Sequence, residues 1–313
     1  MKWIKYILPL FLLIGVHKVN AQQMQMYSQY MFNDFVVNPA VCGTHEYFQA
    51  RLNNRYQWIG IVDQPRTYIL SIYGPHKTKD MGFGGFVYND VTGPTSRTGV
   101  QGAYAKNIRI KNDMRLSFGL SAGLLQFKID GSKITWHDEG DLVGEAMYVD
   151  YIPDANFGMY LYTKSYWAGF SANQLLFSKV KLYNNVSDES LTNGGINRIM
   201  HHFYLMGGYK YKINEEFTLE PSLLVKKMAP TPYEFEITVK GIYQDMVWLG
   251  ASFRTHEKSM PIMIGYNYEN QMYFGYCYDL IFSDLKNYTS GTHEIMVVAR
   301  FNKIKQSKSR PKI

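Results

Sequence analysis

Two adjacent histidines, His201 and His202, are the residues in this chain best placed by type to do acid–base chemistry. A working pair must converge on one substrate atom. The stretch around them alternates apolar and polar residues, and neighbours in a strand point to opposite faces. One ring is therefore expected at an interface and the other inside, not both in one site. The acids Asp138, Glu139, Asp141 and Glu145 could supply the several oxygens that Ca²⁺ takes, but their order does not fit an EF-hand loop. They read as a solvated acidic loop, as do Asp188 and Glu189. No catalytic residue, metal or cofactor is assigned. The two cysteines, Cys42 and Cys277, read as unrelated thiols; the alternative is a disulfide between an N-terminal segment and a late strand. Met24, Met26 and Met31 are adaptable fillers near the N-terminus.

Five charged residues are more informative. Arg51, Arg55, Glu220, Lys226 and Arg300 each fall on the polar face of an alternating segment. From Phe48 to Trp58 the apolar face carries Phe48, Ala50, Leu52, Tyr56 and Trp58, and the other carries Gln49, Arg51, Asn53, Arg55 and Gln57. From Thr292 to Phe301, Ile295, Val297, Ala299 and Phe301 share one face, while Glu294 and Arg300 lie on the other. If the apolar faces meet lipid, a charge among them costs about 2–4 kcal/mol at mid-bilayer, so these five must point inward. There they form either a structural network that fills a barrel or the lining of a transport path. Cys277 shares its parity with Asp279 and belongs to the inward set.

The elements that position these residues are strands along the whole chain. Alternating runs lie near 48–58, 66–73, 82–89, 98–108, 114–128, 152–163, 166–175, 199–212, 217–228, 234–242, 246–254, 260–268, 271–281 and 292–301. This predicts an all-β protein, a transmembrane antiparallel β-barrel of about fourteen strands. The connections sort by length. Tight turns fall near 74–76, 111–113, 164–165, 214–216, 244–245 and 269–270, and long loops at 129–151, 176–198 and 282–291. Outer-membrane barrels have short periplasmic turns and longer external loops, which predicts that both termini are periplasmic.

Composition agrees. Aromatic residues are 16% of the 313, with 26 Tyr, suited to the girdles at membrane interfaces. Mean hydropathy is −0.25, which a barrel tolerates because half of its strand residues face a polar interior. Residues 1–21 read as a signal peptide, with Lys2 and Lys5 before an apolar run and Val19-Asn20-Ala21 at the cleavage site. Residues 22–47 read as an N-terminal plug too apolar for a solvated tail, 48–301 as the barrel, and 302–313 as a basic periplasmic tail. The signal carries +3 and the tail +5 of the formal +7, which leaves 22–301 near neutral at −1. Export and a neutral body exclude nucleic acid as a partner.

Several ordered motifs resemble the PorP/SprF family. They are Tyr27 to Asn33; Asn38-Pro39-Ala40 with Gly43; Asn54 to Gly60, including Arg55, Gln57 and Trp58, followed by Pro65-Arg66-Thr67; Asn89-Asp90 with Gly93-Pro94-Thr95-Ser96; Leu116 to Gly123; and Tyr278-Asp279-Leu280 followed by Ser290-Gly291-Thr292-His293-Glu294. The resemblance spans about 27 to 301. It implies an outer-membrane protein of the Bacteroidota type IX secretion and gliding system, with outer-membrane lipid around it. The expected partners are other components of that system and a secreted surface protein, often an adhesin, held through its C-terminal domain. Asn38-Pro39-Ala40 is also similar to the hatch sequence of the fatty-acid channel family. That keeps a channel for hydrophobic or other small solutes as an alternative. A secreted glycan-binding β protein is a third reading, distinguished by its release without detergent.

Overall fold

The computed structural model describes residues 33–111, 113–134, 147–180, 197–228 and 231–302. The signal peptide, residues 22–32, the acids of 138–145, Asp188, Glu189 and the tail from 303 lie outside the described residues. Fourteen strands form one closed antiparallel barrel. They are β1 (Phe48–Tyr56), β2 (Arg66–Pro75), β3 (Met81–Thr92), β4 (Thr95–Arg109), β5 (Arg115–Asp130), β6 (Met147–Tyr162) and β7 (Tyr166–Asn173), then β8 (His202–Tyr209), β9 (Phe217–Met228), β10 (Glu234–Tyr243), β11 (Val247–Arg254), β12 (Ser259–Tyr268), β13 (Met272–Ile281) and β14 (Thr292–Phe301). Each pairs with its sequence neighbours. The barrel closes where β1 pairs with β14, in a register running from Phe48↔Phe301 to Tyr56↔His293. No helix among the described residues is long and apolar enough to cross a membrane.

Alternation decides which side each residue faces. In β1, Gln49, Arg51, Asn53 and Arg55 are buried, while Leu52 between them is exposed. The outward set forms an aliphatic band that includes Leu70, Val87, Leu120, Leu205, Ile237, Leu249, Ile264 and Ile295. Aromatic residues bracket it. At the end that carries both barrel termini, Phe48 stacks on Phe301 and Phe217 meets Tyr243. At the other end Tyr56 packs edge-on against Tyr68. An apolar band between two aromatic girdles is the surface a bilayer requires. The three longest connections, 131–146, 174–201 and 282–291, all lie at that second end, hereafter the long-loop end.

Several boundaries differ from the sequence reading. β6 begins at Met147, so 147–151 is strand rather than part of a long loop, and β2 runs through Gly74 and Pro75, which were expected in a turn. β3 and β4 run on to a two-residue turn at Gly93-Pro94, so 90–92 and 95–97 are strand, not loop. Gly93, at φ +54°, takes the left-handed conformation that lets the chain reverse so tightly. β1 ends at Tyr56, and Trp58 has φ +58°, which takes its side chain out of the strand's alternation. The expected strand 199–212 begins at His202 and is interrupted at Lys210, whose N–H bonds the Ser165 carbonyl at 2.6 Å; pairing with β9 resumes at Tyr211–Lys212.

Residues 33–47 lie inside the barrel. A single helical turn, α1 (Asp34–Val37), leads through Asn38 into a 3-10 turn at Pro39–Val41. The Asn38 amide spans the wall. Its Nδ2 donates to the Met159 carbonyl at 3.0 Å and the Phe170 carbonyl at 3.3 Å, on β6 and β7. Its Oδ1 accepts from the Ala40 N–H at 2.9 Å. Such an approach needs a wall without side chains. A Cβ at Gly158 would strike the Asn38 amide, one at Gly119 the Ala40 backbone, and one at Gly82 the Gly43 backbone. Phe35 stacks on Tyr73 with ring centroids 4.4 Å apart. Cys42 is fully buried, free, and remote in partner from Cys277, which is also free.

Two outcomes check this arrangement. Burial makes the Cys42 thiol harder to ionise, so it should resist maleimide in the folded protein. Gly119→Val should displace the segment and speed Cys42 labelling, followed by mass spectrometry, by about tenfold or more while the barrel stays heat-modifiable on gels. Unchanged labelling would show that the glycine wall does not hold the segment. The second concerns Asp34, whose pKa burial raises to about 6 against the counter-pull of Arg51. A carboxyl with a raised folded pKa contributes stability that is full below the unfolded value and lost as pH rises through the folded one. Asp34→Asn should therefore leave the thermal midpoint unchanged near pH 4 and raise it progressively up to about pH 6, with a plateau above.

Candidate binding site at the long-loop end

The polar inward faces of β1, β10, β11, β13 and β14, with the 255–258 loop, carry a continuous ion network. Arg55 reaches Asp279 at 2.8 Å and Glu294 at 3.1 Å. Arg254 reaches Asp279 at 3.0 Å, Glu236 at 3.0 Å and Glu257 at 3.2 Å. Asp279 thus bridges two guanidinium groups, and the Cys277 thiol donates to its other oxygen at 3.2 Å. All of these except Glu257 are buried. Taking such charges out of water costs several kcal/mol each, and only close multiple contacts offset that.

The network opens into a cleft of about 100 Å³ bounded by Arg55, Trp58, Glu257, Asp279 and Leu285. Two loops, 57–65 and 282–291, meet over it. The Ile59 N–H donates to the Gly291 carbonyl at 2.9 Å, and the Ser290 N–H donates to the Ile59 carbonyl at 2.8 Å. The Trp58 N–H donates to Thr292 Oγ1 at 3.2 Å. Gly291, at φ +106°, sits where a Cβ would meet the Tyr278 ring. Gln57 also lines the cleft. Gly93 donates its N–H to the Asp63 carbonyl at 3.1 Å, so the β3–β4 turn props the first loop from the side. The Pro94 carbonyl accepts from Asp130.

Arg55, Gln57, Trp58, Ser290, Gly291 and Glu294 are therefore brought together, although they come from opposite ends of the chain. His293 is not. It faces outward, where its Nδ1 lies 2.6 Å from the Tyr276 hydroxyl. Asn38, Pro39, Ala40 and Gly43 hold the inner segment to the opposite wall. The other inward charges make separate contacts. Glu220 pairs with Lys240 at 2.6 Å, Lys226 lies 4.0 Å from Glu234, and Arg51 donates to Gln49. Arg300 covers the Tyr47 ring. Arg254, Glu236 and Glu257 were not singled out from sequence. For Arg254 and Glu236, inward parity on β11 and β10 was the available signal.

The histidines do not converge: His201 precedes β8 and only His202 is in the strand. His202 is buried on the inner face, and its Nδ1 lies 2.9 Å from the Met200 carbonyl. His201 stacks on Phe177. Gly119-Leu120-Ser121-Ala122-Gly123 has the spacing of a nucleophile elbow, which needs a sharp strand-to-helix turn. Here it runs mid-strand in β5, and Ser121 accepts from Asn156. Among the described residues no group of acids, His and Cys is arranged to hold a metal.

The sequence profile described as type IX secretion system membrane protein PorP/SprF matches residues 19–299. The chain belongs to the PorP/SprF family. No curated protein matches it. Among solved structures, the Ralstonia pickettii toluene transporter TbuX is similar with a TM-score of 0.50 at 9% identity, over 86% of this chain and 93% of that one. A Pseudomonas aeruginosa FadL homologue gives 0.48 at 10% identity, over 84% and 92%. At such identities the likeness shows the barrel fold alone. Family and fold together make this a secretion-related outer-membrane protein, with other type IX components as its partners.

Arg55→Met should destabilise the PorP/SprF barrel by about 3 kcal/mol, since it strips a buried partner from two carboxylates. A fall in the denaturant midpoint for unfolding in liposomes is the readout. A shift within error would mean the network is solvated.

Proposed function

We propose that this barrel binds a type IX secreted surface protein, adhesin-like, through that protein's C-terminal domain, and anchors it or assists its export. The observation that carries the reading is the convergence of family-motif residues from β1 and β14 on one cleft at the long-loop end. A scaffold whose only duty was to cross the membrane would have no need for two loops tied together over a charged floor. In this reading the long-loop end faces outside and both termini face the periplasm, as the sorting of loop lengths supports. The role is binding rather than catalysis. Residues 33–47 occlude the barrel from within.

A second reading is passage of small or hydrophobic solutes. It is favoured by the inner segment docked through Asn38 on one wall, and by the fold shared with the toluene transporter TbuX.

Deleting the gene should abolish surface display of the cognate secreted protein, scored by antibody on intact cells. Undiminished display would sink the anchoring reading. Uptake of a hydrophobic solute by liposomes carrying the purified protein would favour the channel.

A further inference from the structure

Three features at the long-loop end have a use beyond holding the wall together. The first is an imbalance of charge. The connected network around Asp279 and Arg254 holds four carboxylates, Glu236, Glu257, Asp279 and Glu294, against two guanidinium groups, Arg55 and Arg254. The second is space. The cleft of about 100 Å³ reaches the floor of this network, where Glu257 and Asp279 line it and Arg55 is the one cationic lining residue. That is room for about three waters, or for the head group of one long side chain. The third is the pair of joined loops beside the cleft. Val62 and Tyr288, one on each loop, are 87% and 73% exposed, the most exposed large apolar side chains among the described residues. Neither belongs to a strand.

Each feature has a bland use alone. Together they describe a socket: apolar side chains on the loops beside it, an aromatic wall at Trp58, and an anionic floor at Glu257 and Asp279. We infer that this cleft accepts the positively charged side chain, arginine or lysine, of an extracellular protein partner. The partner's backbone lies across Val62 and Tyr288, while the cation passes Trp58 to reach Glu257. Charge complementarity selects this occupant. Glu257 is the carboxylate best placed for it, because its side chain is 21% exposed and Arg254 engages only its Oε2. Asp279, by contrast, is already held by two arginines. A cation over an indole face in a partly desolvated site adds to the ion pair. An anionic or purely apolar segment would gain nothing from the floor. The inference rests on the anchoring reading only for the partner's origin; the chemistry of the socket stands apart from it.

The test uses the full-length protein in detergent micelles. Acetyl-Gly-Arg-Gly-amide is titrated while tryptophan fluorescence is followed, with acetyl-Gly-citrulline-Gly-amide as the uncharged match in shape. The expected result is a saturable change with the arginine peptide that disappears in Trp58→Phe. Binding should be weaker by about fivefold or more for citrulline, and equally so for the arginine peptide on Glu257→Gln. Absence of saturation, equal binding of the two peptides, or an unaffected Glu257→Gln variant each overturns the inference. The citrulline comparison needs no variant, so misfolding cannot mask the answer. Peptide binding with display intact after gene deletion would overturn the anchoring reading alone. Lost display without peptide binding would overturn the socket alone.

Discussion

Closure of β1 against β14 is the constraint on which the rest of this structure depends. In hydrocarbon every backbone N–H and C=O must be satisfied within the protein, and an open sheet edge cannot be. The seam meets that demand along nine residue pairs, from Phe48↔Phe301 to Tyr56↔His293. It also reinforces itself with side chains. Outside, Phe48 and Phe301 stack at one end. Inside, Arg55 binds Glu294 across the seam and Asp279 one strand further on. The first and last strands are thus joined by ladder, aromatic contact and ion pair together.

The lumen is furnished unevenly. From β2 to β7 the inner wall carries glycines and aromatic rings, and 33–43 packs on it through Phe35, Asn38 and Ala40. From β9 to β14 the inner wall carries Glu220, Lys226, Glu236, Lys240, Arg254 and Asp279. The division follows from what each wall must face. A folded segment that presses its backbone on the wall requires glycine beneath it and apolar side chains around it. A wall with no such cover keeps its polar groups satisfied by pairing them with one another.

Much of this was legible in the sequence, because period-two alternation directly encodes side. The inward placement of Arg51, Arg55, Glu220 and Lys226 followed from parity once lipid was assigned to the apolar face. All fourteen strands were legible for the same reason. What escaped has a common cause. Arg55 and Asp279 are 224 positions apart, and their contact depends on the registers of β1, β14 and β13 together. No local pattern carries a register. Trp58 leaves the strand through one left-handed residue, which alternation cannot reveal. The β3–β4 turn was read as a loop of polar and small residues, yet a pair of strands this long needs only Gly93 and Pro94 to reverse.

The two walls also differ in the contacts each makes. The ion network engages residues of β1, β10, β11, β13 and β14 and the 255–258 loop, and the inner segment contributes no charge to it. Three of the segment's bonds run instead to β6 and β7, through Asn38 and Asn173. On the seam side Asn33 bonds Asn53 on β1, and Tyr47 lies under Arg300 of β14. None of these contacts belongs to the buried ion network, whose pairs lie among the strands and the 255–258 loop. The cleft at the long-loop end is likewise lined by wall and loop residues, with none from the inner segment.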